Sequence, residues 1–132
     1  MLFRSSDADA EIAAGMNEAT LSRWNDLVRE QTTLSVATAN KAGVPVLLVI
    51  QADLHEGADG NAVADDEGRY DWAASLASPG VEIVRMKELL KGRDVKAIYA
   101  DGAHVRAEGH KIIAQALAER VRAGFGVPRS QP

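Results

Sequence analysis

The stretch Val44-Pro45-Val46-Leu47-Leu48-Val49-Ile50 constrains this chain more than any other. Seven apolar residues follow one another without alternation, and four of them are β-branched, the pattern of a parallel strand covered on both faces. Pro45 stands at the start, where a missing N–H is tolerated. Before it, Leu21, Trp24, Val28, Ser35 and Ala39 recur at helical steps, widened by Leu27 and Leu34, so residues 7–42 read as helix. Asp7, Asp9 and Glu11 suit its first turn, Gly15 is a break point, and Asn40-Lys41-Ala42-Gly43 stops it. Helix, glycine turn and apolar strand make the second half of a crossover unit.

Downstream, residues 53–68 read as a loop, rich in acids and carrying Gly57, Gly60 and Gly68. Arg69 to Ala77 suits a short helix, Ser78-Pro79-Gly80 a turn and Val81 to Val84 a second strand. Met86 to Leu90 is a helical turn that Gly92 ends, and Val95 to Ala100 is a short strand or extended approach. A last helix runs from Arg106 to about Ala123, with Ile112, Ile113, Ala116, Leu117 and Val121 on its apolar face. Gly124, Gly126 and Pro128 end it, leaving residues 125–132 as a frayed tail. The expected fold is α/β, one domain over residues 1–132, a three-layer α/β/α sandwich around a parallel sheet. Two strands are few for such a sheet and leave open edges, which predicts an incomplete domain inclined to self-associate through an edge.

Charge narrows the function. The net charge is −4, yet residues 53–71 hold seven acids against Arg69 alone, so the remainder is slightly basic. That balance argues against nucleic acid as the main partner. Cysteine is absent, which removes disulfides, thiolate catalysis and cysteine-ligated zinc. Val44–Ile50 is too short to span a bilayer, and Met1-Leu2-Phe3-Arg4 is not followed by a signal-peptide core, so the chain as written reads as cytoplasmic. His55, with Asp53, Glu56 and Asp59, fits no ligand spacing and reads as part of a solvated loop rather than a cation site. Trp24 and Trp72 read as packing anchors, and Arg85, Lys87 and the other bases of the last third as solvated faces.

The informative constellation is Asp101-Gly-Ala-His104 ahead of the last helix. A histidine that acts as general base must be held in one tautomer, usually by a carboxylate on one ring nitrogen while the other meets the nucleophile. An acid three residues earlier on the same loop can do this, with small residues between and a helix anchoring the far end. Gly109 then allows close approach of a neighbouring segment. The alternative for His104 is a surface imidazole, or an Asp–His bond that only caps the helix.

The string Tyr99-Ala-Asp101-Gly-Ala-His104-Val-Arg-Ala-Glu-Gly109-His resembles the last block of the SGNH (GDSL) hydrolases, where Asp-x-x-His precedes the C-terminal helix. The layout over residues 20–123 agrees, though only this block is specific. The resemblance implies a flavodoxin-like SGNH hydrolase fold, an ester hydrolase acting through a seryl intermediate, His104 as general base and Asp101 orienting it. Its substrate would be a small-molecule or glycan ester, and the resemblance implies no metal or organic cofactor. The Gly-Asp-Ser block that would carry the nucleophile is absent: Ser5, Ser6, Ser22, Ser35, Ser75, Ser78 and Ser130 all lack that context. Gly15-Met16-Asn17-Glu18 faintly echoes the family's Gly-x-Asn-Asp block and makes Asn17 a candidate oxyanion donor, against a solvated helix residue. The chain is therefore expected to be the C-terminal part of such an enzyme, inactive without a serine-bearing N-terminal segment. A non-catalytic α/β binding module is the alternative.

Overall fold

The computed structural model describes residues 17–125. Asp7, Asp9, Glu11, Gly15, Gly126 and Pro128 lie outside them. The chain divides into two units, Met1–Ser35 and Val36–Pro132.

Helix α1 (Glu18–Lys41) begins in the first unit and ends in the second. Asn17 starts it: its Oδ1 accepts the Thr20 N–H at 2.9 Å, satisfying one of the donors a helix start leaves open. Within the first unit Leu21, Trp24 and Leu27 are exposed, so Trp24 is not the packing anchor its size predicts. In the second unit Val36 is buried, and the helix closes as expected at Gly43. Gly43 takes φ 71°, its N–H reaches Asn40 O, and Val44 N–H reaches Ala39 O, which together satisfy two of the last carbonyls.

Strand β1 (Val46–Ile50) pairs in parallel with β4 (Val81–Arg85), Val46 opposite Val81 and Ile50 opposite Arg85. The second unit is thus mixed α/β with a small parallel sheet. Ile50, Val81 and Val84 are buried, but Val49 is 37% exposed, so β1 is less covered than its all-apolar sequence predicts.

Two expectations are corrected. Residues 53–68 are not all loop: β2 (Asp53–Glu56) and β3 (Ala62–Asp65) form an antiparallel hairpin. Leu54, Ala62 and Ala64 pack against the core while His55 opposes Val63 on the other face. Four-residue strands with three acids at their ends carry too little periodicity to be seen beforehand. Val95–Ala100 is not a strand: Val95–Ile98 is a helical turn. Val95 and Ile98 are both buried, which a three-residue spacing achieves in a helix and not in a strand, where they would face opposite ways. The short helix expected over Arg69–Ala77 is a 3₁₀ helix, Asp71–Leu76.

With Met86–Leu89 as α2, Val95–Ile98 as α3 and Ala107–Arg122 as α4, the core joins Ala52, Met86, Leu90, Val95, Ile98 and Tyr99. Val105, Ile112 and Ile113 close it from the α4 side, whereas Val121 is exposed. No helix of the described residues is long and apolar enough to cross a membrane.

Gly109 lets α4 dock. A Cβ there would stand 2.1 Å from Val105 Cγ1 and 2.6 Å from Ile98 Cγ2, both on stiff β-branched side chains. Gly109→Ala is therefore expected to lose about 1–3 kcal/mol in urea unfolding despite its better helix propensity. Gly102→Ala, whose Cβ meets nothing within 4 Å, should stay within about 0.5 kcal/mol of wild type.

Candidate active site

The loop between α3 and α4 is closed by main-chain bonds. Ala100 N–H donates to His104 O and Arg106 N–H to Ile98 O, both at 2.7 Å, and Arg106 Nε adds a bond to Tyr99 O. Leu54 N–H reaches Gly102 O at 2.7 Å, tying the loop to β2. The buried Tyr99 hydroxyl donates to Ala52 O, just beyond β1.

Within this loop Asp101 and His104 are brought together as their spacing predicts. Asp101 Oδ1 accepts the N–H groups of Ala103 (2.8 Å) and His104 (2.7 Å). Its Oδ2 lies 2.8 Å from His104 Nδ1. The bond from Ala103 N–H, followed by those from the His104 N–H and ring, holds the Asp101 carboxyl at about 2, below its ordinary 3.8. At neutral pH the carboxylate carries no proton, so Nδ1 must be the donor. Nε2 of the neutral ring then keeps its lone pair, the tautomer a general base requires. The His104 side chain is 82% exposed.

Beside the loop, at the carboxyl ends of β1 and β4, lies a cleft of about 210 Å³. Gln51, Asp53, Asp66, Arg69, Tyr70 and Ala103 line it, and Ala103 belongs to the Asp101–His104 loop. Open α/β sheets place ligands at this end of their strands.

One wall rests on ion pairs that sequence reasoning missed. The Asp66 side chain is fully buried, and Arg85 grips both its oxygens, Nε to Oδ2 at 2.9 Å and Nη2 to Oδ1 at 2.6 Å. Lys87 Nζ (3.1 Å) and Gly68 N–H (3.0 Å) share Oδ1, and Arg85 also reaches Asp71. Burial acts to raise the Asp66 pKa. The bonds from Arg85, Lys87 and Gly68 outweigh it and leave the carboxyl at about 2. Arg85 and Lys87 are thus not the solvated faces their setting suggests. Arg85 and Lys87, two apart around the end of β4, are a weak signal for one shared partner.

The other candidates have partners of their own. His55 Nδ1 pairs with Glu67 at 3.3 Å, and among the described residues no group of three or more His, Asp or Glu side chains is placed to hold a metal ion. Asn17 serves locally as the cap of α1. Ser35 and Ser75 bond to carbonyls of their own helices, and neither described serine of the second unit, Ser75 or Ser78, is hydrogen-bonded to His104. Ser5, Ser6 and Ser130 lie outside the described residues. No protein-family model, curated protein or solved structure matches the chain.

Both carboxylates predict acid sensitivity. Because the folded Asp101 pKa is depressed, its stabilisation is present above about pH 4 and is lost as pH falls towards about 2. Urea midpoints of wild type and Asp101→Asn should therefore differ at pH 6 and converge across that window. Asp66→Asn leaves Arg85 and Lys87 with half a partner and should cost about 3 kcal/mol at pH 7 in the same assay.

Proposed function

We propose that this chain is the C-terminal, base-bearing part of an ester hydrolase of the SGNH type. Asp101 and His104 are the acid and base of its Ser-His-Asp triad, and the serine belongs to a segment preceding residue 1. The observation that carries the reading is the Asp101–His104 bond, on a loop held at both ends and bordering a cleft at the carboxyl end of the parallel strands. In the assembled enzyme the serine hydroxyl gives its proton to His104 Nε2 as its oxygen attacks the ester carbonyl. The alcohol leaves with that proton, and water, activated by the same nitrogen, releases the acid and restores the serine. Asp101 keeps the ring in the required tautomer and stabilises the imidazolium. No metal or organic cofactor enters this scheme.

The complete domain in this reading is a three-layer α/β/α sandwich in which β1 and β4 are two strands of a longer parallel sheet. The uncovered Val49 and the two-stranded sheet support that extension. A second reading, a binding module without catalysis, is favoured by one observation: the sequence contains no Gly-Asp-Ser block.

The test joins the chain, fused or co-expressed, to an N-terminal half of an SGNH hydrolase and follows p-nitrophenyl acetate hydrolysis. Activity should appear with wild type, and His104→Ala and Asp101→Asn should each reduce it by about 10³–10⁴. Equal rates in all three would remove the assigned roles. A folded, complemented chain without activity would favour the binding module.

A further inference from the structure

Arg69 stands on a turn built to hold it. Its N–H donates to Asp66 O at 3.0 Å, and the two residues before it, Glu67 (φ 53°) and Gly68 (φ 68°), are both left-handed. A non-glycine residue in that region is unfavourable and persists only where its surroundings enforce it. Here the enforcement is the buried Asp66, locked by Arg85 and Lys87 and accepting the Gly68 N–H. The side chain so presented lines the cleft, its Cζ 5.9 Å from the centre of the Tyr70 ring. Arg85 and Lys87 are engaged by Asp66. Among the described residues, no carboxylate lies within ion-pair distance of Arg69.

We propose that this cleft binds a small ligand bearing a carboxylate, with Arg69 as the residue that recognises it. A planar guanidinium presents paired donors that match the two oxygens of a carboxylate, and the Tyr70 ring favours a fixed cation beside it. Asp53 faces the same cleft, which disfavours a doubly charged phosphate more than a singly charged carboxylate. A cleft of about 210 Å³ suits a short chain. Ala103, which also lines the cleft, leads directly into His104. Resting on the hydrolase reading, the substrate class is then a short-chain ester that keeps a free carboxylate.

The test compares monomethyl succinate with methyl butyrate, which replaces the carboxylate by a methyl group. In ¹H–¹⁵N spectra of the chain, monomethyl succinate should shift Arg69 Nε–H and the amides of Gly68, Tyr70 and Ala103 saturably, and methyl butyrate should not. Arg69→Gln, an exposed substitution, should weaken that binding about tenfold, and added salt should weaken it in wild type. An absence of saturable shifts, or equal affinity in Arg69→Gln, would overturn the site. Cleavage by the complemented chain is read separately. Binding at Arg69 with neither ester cleaved removes the hydrolase reading and leaves the site standing. Cleavage of both esters at a ratio unchanged by Arg69→Gln removes the site and leaves the hydrolase.

Discussion

The Tyr99 ring lies in the core and its hydroxyl donates to the carbonyl of Ala52, which is itself wholly buried. That carbonyl belongs to the link between β1 and β2, and a buried main-chain acceptor without a partner would be costly. A single side chain therefore fastens the end of the parallel sheet to the segment that opens the Asp101–His104 loop. Leu54 N–H to Gly102 O repeats the connection, two residues further along one segment and three along the other. Because Gly109 lets α4 lie against Ile98 and Val105, the far end of the loop is fixed as well. The exposed imidazole is consequently mounted on buried supports, and its orientation follows from packing that it does not share.

The acidic segment is managed by the same architecture. Residues 53–71 concentrate negative charge, and the fold brings Arg85 and Lys87 from β4 and α2 onto its one fully buried carboxylate. Burying Asp66 alone would be strongly unfavourable; with a bidentate arginine, a lysine and a main-chain donor it becomes a fixed point. The left-handed turn at Glu67 and Gly68 hangs from it, and so does the position of Arg69. The two halves of the candidate site are held by different physics, one loop by main-chain hydrogen bonds backed by apolar packing and one turn by ion pairs.

Much of this was legible from one dimension because the signals were local. Asn40 to Gly43 stops a helix through the conformational freedom of one glycine, and Val46–Ile50 forms a strand wherever apolar β-branched residues can be paired. Asp101 reaches His104 because three residues of loop suffice, whatever lies around them. The hairpin at Asp53–Asp65 was not legible: its strands are short and acidic, and only a core to receive Leu54, Ala62 and Ala64 makes the pairing worthwhile. Val95–Ile98 is ambiguous in sequence because β-branched residues suit a strand, and burial on one side decided for a helical turn.

The local sequence by itself determined the helix stops, the apolar strand and the short-range bond between Asp101 and His104, since each depends on residues within a few positions of one another. Tertiary structure alone decided the parallel pairing of β1 with β4, the partners of Asp66 and the cleft that joins Arg69 to Ala103. Those depend on segments from 19 to 52 residues apart, such as Asp66 with Arg85 and Gln51 with Ala103. Distant charges and strands select one another through burial, and burial is a property of the assembled core.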